Sequence, residues 1–156
     1  MKKVVALPAP KPRSVIARNT AWVYAGVLTV MAVGQLFAFE KFIPFMTDAD
    51  AIGFQVTTPI VLFVLVIAEV FALPFLLRMN LSPLMRWCSL VCSLFVPVVW
   101  FVISARIFVT FMFSPAQGWI FGTAVPIPIA YQTVFALVLL CVAIYVTYGL
   151  WPGKKK

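Results

Sequence analysis

The sequence predicts an all-α integral membrane protein, a four-helix bundle with both termini in the cytoplasm. Three observations predict it: a composition too apolar for a water-soluble fold, four long apolar runs, and basic residues gathered on one side of those runs. Hydrophobic residues make up 64% of the 156 positions and charged residues 10%, with a mean hydropathy of +1.09. Soluble domains carry about 25% charged and about 45–50% apolar residues. A chain of this length could not hide the excess from water, so lipid is the solvent that fits it.

Residues 1–20 form a basic, proline-rich segment with Lys2, Lys3, Lys11, Arg13 and Arg18 among Pro8, Pro10 and Pro12. They read as a flexible cytoplasmic arm. They are not a signal peptide, because the apolar run that follows is too long and lacks a small-residue cleavage site. The first span is expected over about 21–45, closing on Phe39-Glu40-Lys41-Phe42-Ile43-Pro44. A polar connection with Asp48 and Asp50 leads to the second span, about 58–77, which holds Glu69 near its middle and Pro74 in its last third. A tight turn with Arg78, Asn80, Ser82 and Arg86 follows, and Pro83 suits the first position of the next helix.

The third span is expected over about 84–112. At 1.5 Å per residue it reaches about 43 Å against a hydrocarbon core of ~30 Å, so it tilts, bends at Pro97 or projects. Residues 113–130 carry no charge and include Pro115, Gly118, Gly122, Pro126 and Pro128. They read as an extracytoplasmic loop on the membrane surface, with Trp119 at headgroup level. The fourth span is expected over about 131–151, followed by a basic tail, 152–156, that ends in Lys154, Lys155 and Lys156.

Orientation follows from charge. The arm, the 78–86 turn and the tail hold ten of the twelve Lys and Arg residues. The positive-inside rule then places both termini in the cytoplasm of a multi-pass cell-membrane protein. The same clustering at span ends argues against nucleic acid as a partner, despite the net charge of +8. The expected partners are the lipid bilayer itself and a membrane-protein partner or a second copy of the chain.

Four ionisable residues fall at membrane depth: Glu40, Lys41, Glu69 and Arg106. Charge there is costly, about 2.5–3.5 kcal/mol at the bilayer centre on insertion scales, so such groups face the bundle and pair. The expected arrangement is a buried polar cluster of Glu40, Lys41 and Arg106 toward the outer end, with Glu69 as its floor and Gln35 within hydrogen-bonding reach of Glu69. Fold-specifying pairs, or snorkelling of Lys41 and Arg106, remain the alternative. Glu69 is the strongest candidate for function, since it is central and has no basic residue nearby in its own helix.

Cys88, Cys92 and Cys141 all lie in apolar runs, and there is no histidine. That argues against a disulfide framework, a metal centre or a cofactor. Cys88 and Cys92, like Ser89 and Ser93, are four apart on a helix face and read as close-packing positions. A redox role would more naturally use Cys-x-x-Cys. No phosphate loop, nucleophile elbow or zinc pattern occurs, so the reading leans away from an enzyme.

The order of features is similar to the DoxX-like family and the related MauE-type proteins. It runs from Phe39-Glu40-Lys41-Phe42, through Ala68-Glu69-Val70-Phe71-Ala72-Leu73 with the basic Arg78 and Arg86, to two further spans. The resemblance implies a four-helix membrane protein associated with respiratory or thiol-redox complexes, with Lys41 and Glu69 at the recurring intramembrane positions. The chain departs from that pattern in lacking glycines soon after Glu69 and cysteines in the third connection. Three functions are expected in order: an accessory, non-catalytic subunit of a membrane complex; a small proton-coupled transporter using Glu69; and a quinone- or lipid-binding membrane enzyme.

Overall fold

A computed structural model describes residues 12–37, 40, 58–110, 117–118, 120–121 and 127–151. It is helical apart from one short strand pair. The helices are α1 (Val15–Phe37), α2 (Thr58–Leu76), α3 (Pro83–Thr110) and α4 (Ile129–Leu150). Strands β1 (Gln117–Gly118) and β2 (Ile127–Pro128) pair antiparallel, Gln117 opposite Pro128 and Gly118 opposite Ile127. Three helices are long and apolar enough to cross a membrane: Val15–Phe37, Pro83–Val109 and Ile129–Leu150. The fourth carries a shorter apolar stretch, Ile60–Leu76.

Helix α1 packs against α2 and α4, α2 against α3, and α3 against α4. The starts of α1 and α3 lie beside the ends of α2 and α4. At that end Trp87 meets Trp151 edge to face, 4.9 Å between ring centroids. The Arg13 guanidinium sits 4.2 Å from the Tyr148 ring centroid, and the Arg13 N–H donates to the Gly149 carbonyl at 3.0 Å. Large apolar side chains fill the interior, among them Leu28, Met31, Leu62, Leu65 and Leu76, and others remain exposed on every helix, such as Val30, Phe63, Val102 and Val134. Helices apolar on both faces belong in lipid, where the outer face meets acyl chains.

Local sequence explains the helix starts. Ser14 caps α1, its Oγ accepting from the Ala17 N–H at 3.0 Å, and Ser82 does the same for Met85 of α3 at 3.3 Å with Pro83 in the first turn. The first of these corrects an expectation. Residues 15–20, expected in the arm, are helical, because the Ser14 cap starts the helix at Val15, six residues before the predicted span, and residues 1–11 lie outside the described residues. At the other end of the first span, 38–39 and 41–45 lie outside the described residues, as does the tail 152–156.

Helix α2 closes in a left-handed residue, Arg78, with φ 58. The Arg78 N–H donates to the Phe75 carbonyl (3.1 Å) and the Met79 N–H to the Pro74 carbonyl (3.0 Å). This is a Schellman closure with arginine where glycine is the usual occupant.

Beside each of two prolines inside helices, a hydroxyl of a neighbouring helix bonds the backbone. Pro97 has no N–H to offer the Ser93 carbonyl, and the Tyr24 hydroxyl of α1 donates to that carbonyl at 2.6 Å instead. Beside Pro74 in α2, the Phe75 N–H donates to Ser89 Oγ of α3 at 3.0 Å, and the same hydroxyl donates to the Ala72 carbonyl at 3.2 Å. Ser89 therefore reaches two backbone groups of the turn that holds Pro74. In hydrocarbon, where no water can substitute, such repairs are what make an internal proline tolerable.

The connection from α3 to α4 differs from the surface loop expected over 113–130. Ile120 is fully buried, and its carbonyl accepts from Gln35 Nε2 of α1 at 3.2 Å. Room for this approach comes from Gly34: a Cβ there would lie 2.5 Å from the Phe121 carbonyl oxygen. The turn thus enters the helix assembly, which is allowed because its backbone is held by protein. Trp119 lies outside the described residues.

Tyr24→Phe is expected to destabilise the fold by roughly 1–3 kcal/mol, the range for stranding a buried carbonyl. In a Pro97→Ala background, where the helix can supply its own N–H to Ser93, the same change is expected to cost clearly less. Thermal unfolding of the four proteins of this cycle in mild detergent measures the coupling. Equal costs in both backgrounds would refute the repair.

A buried polar node as the candidate functional site

Glu69 sits at the centre of a polar node built by three helices and the inserted turn. Its residue is fully buried, as are Gln35 and Trp100. Glu69 Oε1 accepts from Gln35 Nε2 at 3.0 Å and from Trp100 Nε1 at 3.1 Å. Gln35 Nε2 also donates to the Ile120 carbonyl, so one amide group joins α1, α2 and the turn. That double donation fixes the orientation of the amide, since a backbone carbonyl can only accept.

The node continues along α3. Ser104 lies four residues after Trp100, on the same helix face. Gln132 Nε2 of α4 donates to Ser104 Oγ at 2.9 Å, and Thr133 Oγ1 donates to the Ser104 carbonyl at 3.3 Å. Phe121 of the turn packs on Phe135 of α4, with centroids 5.3 Å apart. Each of the four helices therefore supplies at least one polar side chain to the interior.

Acceptors outnumber donors here. Glu69 Oε2, Gln35 Oε1 and Gln132 Oε1 are buried with no hydrogen-bond donor to them. Among the described residues, both side-chain donors to Glu69 are neutral, so its charge is spread onto these two dipoles. A proton on Oε2 would turn one of the three orphan acceptors into a donor.

Of the predicted cluster, Gln35 and Glu69 come together. Glu40 and Arg106 are both exposed, unlike this enclosed pair, and Lys41 lies outside the described residues. Trp100, Ser104, Gln132 and the Ile120 carbonyl were not anticipated as partners. A signal for the first three existed, since polar groups in apolar runs have to find each other; nothing local marks a backbone carbonyl. Cys88 and Cys141 are exposed and Cys92 is half-buried. Among the described residues, no three Cys, Asp or Glu side chains gather in a way that could hold a metal ion.

An apolar groove of about 490 Å3 runs along the outer face of α1 and α2 beside the node, lined by Leu36, Phe63, Val66, Ile67, Val70 and Phe71. Leu36 and Val70 directly follow Gln35 and Glu69 in sequence.

Glu69→Gln keeps a carbonyl acceptor for Trp100 and is expected to cost less stability than Glu69→Leu, which removes that acceptor; the difference should fall in the range of roughly 1–3 kcal/mol. Gly34→Ala is expected to destabilise by about 1–3 kcal/mol, because the obstructing atom is backbone and cannot rotate away. Both follow from thermal melts, with indole emission as a local readout. A Gly34→Ala protein as stable as the parent would contradict the close approach of the turn.

The chain matches no family model, no curated protein and no solved structure.

Proposed function

We propose that this chain is a four-span membrane protein with both termini in the cytoplasm, DoxX-like in form, and that it serves as an accessory, non-catalytic subunit of a larger membrane complex. The observation that carries the reading is the enclosure of Glu69. Its side chain is sealed from solvent and held by neutral groups of neighbouring helices. Such a group ties helices together; it does not present a reactive atom to a substrate. The resemblance in feature order adds the association with redox-linked complexes.

The orientation draws on the end of the molecule where Arg13, Arg18, Trp22, Arg78, Trp87, Tyr148 and Trp151 come together. Aromatic side chains mixed with basic ones are the composition of a cytoplasmic membrane interface. The apolar stretch of α2 is 17 residues long, about 25 Å at 1.5 Å per residue, close to the ~30 Å of a bilayer core.

A second reading, proton-coupled transport with Glu69 as the carrier, has one observation in its favour: Glu69 Oε2 has no hydrogen-bond donor. A carrier acid needs an oxygen free to take and release a proton.

A carboxy-terminal fluorescent-protein fusion is expected to glow and an alkaline-phosphatase fusion to be inactive, as both require for a cytoplasmic end; the reverse pair rejects the orientation. Gentle extraction is expected to yield a complex larger than the chain and its detergent, with the same partner in several detergents. A strictly isolated monomer throughout counts against the accessory role. Glu69→Gln should leave proton flux in proteoliposomes unchanged under the first reading and abolish it under the second.

A further inference from the structure

At the basic end of the molecule, the start of α1 and the end of α2 enclose a cleft of about 570 Å3, lined by Arg18, Asn19, Trp22, Leu77 and Arg78. We propose that this cleft binds the phosphate of an anionic phospholipid headgroup. The inference rests on the membrane placement argued above.

The lining chemistry fits an anion and little else. Two guanidinium groups, from different helices, converge on one cavity. Arg offers planar paired donors that match phosphate oxygens, and Asn19 and Trp22 add neutral N–H donors. Among the described residues that line it, none is acidic. Helix ends shift this balance only slightly. The final carbonyls of α2 carry about half a negative charge, and the first turn of α1 carries about half a positive one. Among the described lining residues, the two arginines set the sign.

Position narrows the source of the phosphate. Trp22 is largely exposed beside the cleft, an indole at the level where headgroups begin, and Leu77 supplies an apolar wall toward the acyl region. The backbone singles out Arg78. It occupies the left-handed closing position of α2, where glycine would cost less. A non-glycine residue at such a position points to a role for its side chain.

That same geometry provides a clean test. Arg78→Gly removes the guanidinium while easing the turn, so lost binding cannot be blamed on unfolding. The full chain in non-ionic detergent would be titrated with phosphatidylglycerol, phosphatidylcholine or inorganic phosphate, reading the thermal midpoint and bound lipid by native mass spectrometry. Phosphatidylglycerol is expected to bind saturably and raise the midpoint. Arg78→Gly and Arg18→Gln should each weaken it roughly tenfold, the loss of one charge-assisted contact, while Arg106→Gln should leave it unchanged. Arg78→Lys should fall between. No saturable binding, or equal losses for Arg78→Gly and Arg106→Gln, overturns the site. Equal affinity for phosphatidylcholine overturns selectivity for an anionic headgroup. Saturation by inorganic phosphate with the same arginine dependence overturns a lipid as the source. Retention of the chain in carbonate-washed membranes checks the membrane placement separately, so failure of that premise and failure of the cleft are distinguishable.

Discussion

The carboxyl of Glu69 is the constraint around which the interior is organised. A polar acid inside an apolar assembly has to be met by donors, and its own helix supplies none: the donors come from Gln35 of α1 and Trp100 of α3. Gln35 in turn takes the Ile120 carbonyl, which brings the connection between α3 and α4 into the interior. Remove the acid and three elements lose the group that registers them against one another. Apolar packing between helices in lipid has no comparable directionality, since acyl chains are as apolar as leucine.

Prolines impose the same demand on the backbone. Pro74 and Pro97 each break a helical ladder, and a hydroxyl from a helix packed alongside bonds the backbone nearby: Tyr24 takes the Ser93 carbonyl that Pro97 leaves without a donor, and Ser89 bonds the Phe75 N–H and the Ala72 carbonyl beside Pro74. Ser89 and Tyr24 are thus not simply small or aromatic packing residues. Their hydroxyls do what water does at a kink in a soluble protein. The balance between acid, amides and hydroxyls explains why buried polar residues occur on every helix of so apolar a chain.

Much of the helical layout was legible in the residues, because hydropathy and span length are local quantities. Apolar runs located the helices at Thr58–Leu76, Pro83–Thr110 and Ile129–Leu150 to within a few residues. The start of α1 was misplaced because a single serine cap outweighed the polar composition of residues 15–20. The pairing of Gln35 with Glu69 could be foreseen from two polar groups in neighbouring apolar runs. Trp100 carried a similar signal but not its direction, which depends on which face of α3 turns inward, and the Ile120 carbonyl carried none, since its role depends on a chain reversal that glycine at position 34 makes room for. Spacing alone marks Ser89 as a packing residue for the same reason: the hydroxyl's target lies on another helix, 14 residues away in sequence.

The proline repairs also set an order of construction. In a bilayer, the Ser93 carbonyl of α3 waits for a hydroxyl on α1, an element made earlier, so it can be met as soon as α3 enters. The Phe75 N–H of α2 waits for Ser89, made later, so α2 is incomplete until the hairpin with α3 closes. The Ile120 carbonyl finds Gln35 already in place. Two of these three dependencies point back toward α1, which makes the first helix the template on which the later ones are seated, and makes the α2–α3 hairpin, rather than α2 alone, the unit that can settle in lipid.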